Sequence, residues 1–127
     1  MKEFKKYFKI QASVQDVYNA LVNPNMIELW TGDDAVMDDQ VGTEFSLYEG
    51  NISGKNLEIE KEKKIVQQWY FGDQEEPSIV TIVLHKDKNN TSVEVRQTNI
   101  PDEAYKNIVD GWSYAYFEPI MELLEEM

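Results

Sequence analysis

The chain has 127 residues, 42% of them hydrophobic and 28% charged, which is typical of one folded domain and not of a disordered segment. Its 24 acidic and 12 basic residues give a formal charge of −12, which argues against a nucleic-acid partner because phosphate contacts need clustered Lys and Arg. The absence of cysteine excludes disulfides, thiolate metal sites and cysteine nucleophiles, and no apolar run approaches the roughly 20 residues of a membrane span. We therefore expect a single cytoplasmic domain over residues 1–127 with no membrane insertion.

The first elements are predicted to be a strand and two short helices. Alternate apolar residues over 4–10 predict a strand with one buried face. Ser13 is typical of a helix N-cap, and that helix should end at Asn23 because a residue before proline is pushed out of the helical region. Pro24 then suits the first position of a second helix. The apolar side of this second helix is assigned to Met26, Ile27, Leu29 and Trp30.

The middle of the chain predicts a series of antiparallel strands at hairpin spacing. A turn rich in Asp, with one short strand around residues 35–37, comes first. Alternating apolar residues then predict strands over 43–48, 52–60, 65–71, 79–85 and 91–98. Polar or glycine-containing turns separate them. The positions expected to point inward include Phe45, Leu47, Leu57 and Ile59.

The C-terminal part of the chain changes to helical periodicity. Apolar residues recur at three- and four-residue spacing from Ala104 to Leu124, which predicts one long amphipathic helix. Pro119 removes the amide that would bond to the Ala115 carbonyl, so we expect a kink or a loosened turn there. The order of elements predicts an α+β helix-grip fold, in which a curved antiparallel sheet of about six strands wraps around the long C-terminal helix.

Five blocks of the sequence, in this order, carry a family resemblance. The blocks are Val17–Leu21 with Pro24 and Leu29-Trp30-Thr31, then Gly42–Phe45, Gly50–Gly54, Lys64–Trp69 and Gly111–Phe117. Together they resemble the family of the activator of heat-shock protein 90 (Hsp90) ATPase, specifically its C-terminal domain and stand-alone relatives, within the START/birch-pollen-allergen (SRPBCC) superfamily. The resemblance implies the helix-grip fold and a chaperone of the Hsp90 type as a partner.

The chain offers no catalytic or metal-binding constellation that we would assign. Its single histidine, His85, ends a predicted strand and is expected to have a surface or structural role. The acidic pairs 33–34 and 38–39 lack the ligand spacing of a calcium loop, so a solvated loop is the simpler interpretation. We therefore expect no cofactor, no metal and no enzymatic activity. An enzyme of the polyketide-cyclase or hydrolase-like kind, which the superfamily also contains, stays the third alternative.

A set of aromatic and amide side chains is the candidate site, because these residues come from elements expected to face one another. Gln67 and Gln97 share inward parities with Trp69 and Val95, and a buried amide needs partners or water. The set therefore indicates a wet cavity, although an ordinary core explains most aromatic clusters and a parity shift of one residue would turn both amides to solvent. The candidate ligand-binding residues are Trp30, Phe45, Gln67, Trp69, Gln97, Trp112 and Tyr116.

The sequence thus leaves two leading hypotheses for function. The first is a non-enzymatic binding module that holds a small apolar or amphipathic ligand between the sheet and the C-terminal helix. The alternative, implied by the resemblance, is a co-chaperone-like protein that binds an Hsp90-type chaperone and stimulates its ATPase. The exposed loops 51–56 and 72–77 are plausible contact surfaces for a partner.

Overall fold

The computed structural model describes residues 1–126, so the last residue of the expected domain, Met127, lies outside the described part. The order of elements confirms the predicted α+β helix-grip fold. The strands are β1 (Lys2–Ile10), β2 (Glu44–Leu47), β3 (Ile52–Glu60), β4 (Lys64–Trp69), β5 (Ser78–Asp87) and β6 (Asn90–Ile100). The helices are α1 (Val14–Val22), α2 (Pro24–Thr31), α3 (Tyr105–Gly111) and α4 (Glu118–Glu125), with a π-helical segment at Trp112–Phe117 between the last two.

The six strands form one antiparallel sheet in the order β1-β6-β5-β4-β3-β2. Alternate residues of β4, β5 and β6 face the helices, so these strands show the period-two burial that the sequence predicts. Phe8 of β1 stacks on Phe117 at 4.6 Å between ring centroids, so the sheet packs directly against the C-terminal helical segment. No helix within residues 1–126 is long and apolar enough to cross a membrane.

The two helix boundaries predicted from the sequence are confirmed. The Ser13 Oγ accepts a hydrogen bond from the Asp16 amide at 3.1 Å, which caps α1. Asn23 ends α1 in an extended conformation, and Pro24 begins α2. The prediction that Leu29 is inward is wrong, because this side chain is 67% exposed while α2 is short and turns only one narrow face to the core.

The prediction that Leu57 points inward is also wrong, because β3 contains a bulge. Asn56 pairs with Gln67, but the next paired residue is Glu58, opposite Val66, which leaves Leu57 as the additional residue. An additional residue reverses the alternation, so Asn56 is buried and Leu57 is 38% exposed. Of the short strand expected around 35–37, only a single bridge between Val36 and Ser46 is present.

The loosened turn expected near Pro119 is present. The chain is helical from Tyr105 to Glu125, but the six residues before α4 adopt the wider π-helical form. Pro119 lies in the first turn of α4, where its missing amide hydrogen is tolerated. The break therefore divides the long C-terminal helix without ending it.

Candidate functional site

Gln67 is buried beside Trp69, and both its side-chain oxygen and its side-chain nitrogen form hydrogen bonds with protein groups. The indole Nε1 of Trp69 donates to Oε1 of Gln67 at 3.0 Å, and Nε2 of Gln67 donates to Oδ1 of Asn56 at 3.1 Å. Asn56 in turn donates to the backbone carbonyl of Asp38 at 3.0 Å. This chain of hydrogen bonds ties β4 to β3 and to the loop before β2.

Gln97 of β6 makes a similar arrangement on the same face of the sheet, one strand beyond β5. The indole Nε1 of Trp112 donates to Oε1 of Gln97 at 2.8 Å, and Nε2 of Gln97 donates to Oγ of Ser78 at 3.1 Å. The Ser78 hydroxyl donates to the backbone carbonyl of Thr98 at 2.8 Å. The inward direction predicted for both glutamines is confirmed, but their partners are protein groups, so neither amide requires the wet cavity that the sequence indicated.

The two tryptophans that these glutamines hold are stacked on each other. Their ring centroids are 4.8 Å apart with an interplanar angle of 26°, which joins Trp69 of the sheet to Trp112 of the helical segment. Tyr116 packs against Trp112 at 4.7 Å and against Trp30 at 5.0 Å. The indole of Trp30 donates to the Ala20 carbonyl at 2.9 Å, so this ring is also fixed in direction.

An open groove of about 460 Å³ lies between the start of β3 and the C-terminal helical segment. Of the predicted site residues, Trp69, Trp112 and Tyr116 line it. The other four are buried in the protein interior and do not line the groove. They are Trp30, Phe45, Gln67 and Gln97.

Several residues that form the groove are not among those predicted from the sequence. Tyr48, in the turn after β2, forms part of one wall, and Asn51 follows it. Gly111 and Ile108 lie on the same helical stripe as Trp112, at the spacing of a single helix face. A glycine within an apolar stripe was the available signal, because it leaves a gap where every other member of the stripe fills space.

Tyr116 is a polar residue that lines the groove although it is almost fully buried. Its side chain is only 2% exposed. Burial, followed by the neighbouring Tyr48, raises the pKa of Tyr116 above its ordinary value of 10.0, so the phenol stays protonated at neutral pH. Among residues 1–126, no side-chain hydrogen bond to its hydroxyl contributes to this shift.

The described residues that line the groove carry no formal charge. None of its lining residues is Asp, Glu, Lys, Arg or His. No group of three or more His, Asp or Glu side chains within residues 1–126 is arranged to hold a metal ion. His85 lies on the opposite face of the sheet, half exposed, with Nε2 at 3.3 Å from Oε1 of Glu94.

The family model described as "Activator of Hsp90 ATPase homolog 1-like protein" matches residues 11–125. The chain belongs to this family. A relative from Dictyostelium discoideum, named an activator of 90 kDa heat shock protein ATPase homolog, is 35% identical over 114 residues, covering 87% of this chain and 30% of the relative. The human homolog 1 is 29% identical over 112 residues, covering 87% of this chain and 33% of the human protein. The chain thus spans about a third of the length of these relatives.

Solved structures of similar proteins share the fold along almost the whole chain. An HSP90 activator from Plasmodium falciparum superposes with a TM-score of 0.89 at 26% identity, covering 98% of this chain and 97% of that one. The Aha1 dimer of Colwellia psychrerythraea superposes with a TM-score of 0.86 at 18% identity, covering 98% and 97% of the two chains, and this likeness concerns the fold alone.

Proposed function

We propose that the chain is a non-enzymatic binding module whose groove accommodates a small apolar or amphipathic molecule. The groove itself carries this proposal, because its volume of about 460 Å³ lies within the roughly 300–1,000 Å³ of ordinary ligand sites. Its walls are mainly aromatic and aliphatic, and the amides of Asn51 and Asn107 stand exposed at its edge. Such apolar walls with a few polar groups are typical of binding sites for small molecules.

The titratable groups of the groove favour binding over catalysis. Within residues 1–126, tyrosines are the only titratable residues that line it, and burial raises the pKa of both Tyr48 and Tyr116. Neither phenol is therefore ready to accept or release a proton at neutral pH. This supports a module that holds a molecule without transforming it.

Filling the groove tests the proposal. A Cβ on the helical residue Gly111 would meet no atom within 4 Å, so a larger side chain there extends into open space of the groove without a backbone clash. We expect Gly111→Leu to weaken the binding of the neutral fluorescent probe N-phenyl-1-naphthylamine at least about tenfold, because the branched side chain occupies part of the groove between its aromatic walls. Gly111→Ala is the matched control, because it leaves most of that space free.

Two outcomes would reject the ligand-binding proposal. One is the absence of any probe binding to the unchanged protein. The other is equally tight binding to both Gly111 variants, which would locate the probe elsewhere. Thermal unfolding should report a slight stabilisation of Gly111→Ala, because glycine costs about 1 kcal/mol relative to alanine inside a helix. A cooperative thermal transition of Gly111→Leu and of Gly111→Ala shows that both variants are folded.

A second candidate function is that of a co-chaperone, which family membership and the names of the relatives favour. The Plasmodium structure named an HSP90 activator aligns with this chain over 98% of its length. We propose that the chain binds an Hsp90-type chaperone of its own cell, in the cytoplasm, and raises the turnover of its ATPase.

Steady-state ATPase turnover of that chaperone at saturating concentrations of the chain tests the second candidate. We expect turnover to rise, and a complex to be detectable by size-exclusion chromatography. Unchanged turnover with no detectable complex would reject it. The variant Gly111→Leu separates the two functions, because a chaperone contact outside the groove would survive the loss of probe binding.

A further inference from the structure

We infer that the groove prefers uncharged ring compounds that carry one hydrogen-bond acceptor over anionic or purely hydrocarbon ones, and that the Tyr116 hydroxyl is the donor for that acceptor. This inference rests on the proposed ligand-binding function and names the class of ligand that the groove takes. Three features of the groove support the inference. They are its uncharged lining, the protonated Tyr116 hydroxyl and the aromatic character of its walls.

The lack of charge disfavours anions. Although 28% of the chain is charged, none of the groove's lining residues is a Lys, Arg or His that could pair with a carboxylate. An anion entering the groove would lose hydration without gaining a partner, which is unfavourable. The formal charge of −12 adds a repulsive field around the whole molecule.

The Tyr116 hydroxyl supplies a directional contact. The side chain lines the groove while remaining 2% exposed, and its ring is held between Trp112 at 4.7 Å and Trp30 at 5.0 Å. The phenol is a donor as long as it stays protonated, which its raised pKa ensures at neutral pH. A ligand oxygen placed beside Tyr116 would give this hydroxyl an acceptor, whereas a hydrocarbon ligand would cover it and leave it unpaired.

The walls favour a flat ring. Trp112, Tyr48 and Tyr114 all line the groove, and Tyr114 is 65% exposed at its edge. Aromatic walls interact with ring compounds through offset or edge contacts that a flexible alkyl chain does not make. The two amides at the edge, Asn51 and Asn107, leave room for a ligand that is apolar at one end and polar at the other.

Three soluble probes that share one phenyl ring test the preference. Acetophenone is neutral and carries an acceptor, ethylbenzene is neutral without an acceptor, and benzoate is anionic. Dissociation constants come from NMR titrations that follow the groove residues, including the indole signals of Trp69 and Trp112. We expect ethylbenzene to bind about fivefold more weakly than acetophenone, the effect of one hydrogen bond. Benzoate should bind at least about tenfold more weakly than acetophenone.

The variant Tyr116→Phe tests the assignment of the donor. This variant keeps the ring and its packing. Its affinity for acetophenone should fall to its affinity for ethylbenzene, while ethylbenzene binds as tightly as before or more tightly. Tyr7→Phe, on the opposite face of the sheet, is the matched control and should leave all three affinities unchanged.

Each remaining outcome has a definite meaning. Equal affinities of the three probes for the unchanged protein would overturn this inference while leaving groove binding intact. A preference for acetophenone that persists in Tyr116→Phe would overturn the role of this hydroxyl. If no probe shifts the groove signals, the proposed ligand-binding function itself fails. The comparison on the unchanged protein needs no variant, so it stands even if Tyr116→Phe folds poorly.

Discussion

The Tyr48 hydroxyl donates a hydrogen bond to the backbone carbonyl of Ala115, the carbonyl that Pro119 cannot serve because proline has no amide hydrogen. Tyr48 has a φ of 53° and Glu49 a φ of 58°, so two successive non-glycine residues are in the left-handed region. Such residues need support from the surrounding structure. The hydrogen bond provides it, and it fastens the turn after β2 to the C-terminal helical segment at the edge of the groove.

Removal of the Tyr48 hydroxyl should destabilise the protein. We expect Tyr48→Phe to lower the free energy of unfolding by about 1–2 kcal/mol, because the Ala115 carbonyl loses the hydroxyl that donates to it. Denaturant titration measures this. In a Pro119→Ala background the cost should shrink, since residue 119 then has an amide hydrogen. An equal cost in both backgrounds would contradict this account. Tyr114→Phe, at a side chain that is 65% exposed, is the control.

Two neighbouring glutamines of β4 should respond in opposite ways to the same substitution. Gln67→Leu leaves the Trp69 indole and the Asn56 amide without their shared partner. We expect a loss of about 2 kcal/mol or more in the free energy of unfolding. Gln68→Leu, on the outer face, should change it by less than about 0.5 kcal/mol. Similar losses for both variants in chemical denaturation would mean that the buried network adds little.

Gly54 should tolerate no side chain. A Cβ there would lie 1.9 Å from the Gln68 carbonyl oxygen and 2.8 Å from Cζ of Phe45, so backbone would have to move. We expect Gly54→Ala to cost about 3 kcal/mol or more, or to prevent folding. Gly42→Ala is the control, because it has a φ of +94° but open space, so it should cost only the roughly 1–2 kcal/mol of a left-handed alanine. Equal thermal shifts would contradict the prediction.

The stability of the protein should fall at low pH partly through Glu94. Partial burial raises the pKa of this carboxyl, but the hydrogen bond from His85 and the charges of Lys5, His85 and Arg96 outweigh it and hold the pKa below the ordinary value of 4.5. The unfolded chain therefore takes up a proton at higher pH than the folded one. The contribution of Glu94 is fully present above about pH 4.5 and disappears as the pH falls through the lower folded value.

Glu94→Gln should remove that contribution. The variant is expected to be less stable than the unchanged protein at pH 6, and the difference should diminish as the pH is lowered through the acidic range. Thermal unfolding at a series of pH values measures it, with Glu3→Gln on the same sheet as a control. A difference that stays constant with pH would show that Glu94 acts by shape and not by charge.

The sequence predicted the fold well because its signals are local. The alternation of apolar and polar residues identified the strands. The positions of Ser13 and Pro24 located two helix boundaries within a residue or two. The same reasoning failed at Leu57, because a one-residue bulge in β3 depends on the pairing with β4 and leaves no local trace. It failed at Leu29 because a short helix can bury only what its neighbours cover.

The candidate site was predicted only in part. The inward direction of Gln67 and Gln97 follows from strand parity alone, and the helical stripe containing Trp112 follows from its spacing. Their binding roles stay predictions, as does the single domain over residues 1–127. That Gln97 binds an indole could not be read from the chain, because Trp112 is 15 residues from Gln97 and meets it only after the helix packs on the sheet.

The sequence by itself therefore determined which side of most strands and helices is apolar, where α1 and α2 meet, and that the helix loosens near Pro119. The tertiary structure alone decided where the groove lies and which groups surround it. The turn containing Tyr48 reaches Ala115 across 67 positions of the chain. Periodicity and capping act within a few residues, whereas hydrogen-bond partners and open space depend on how distant segments pack.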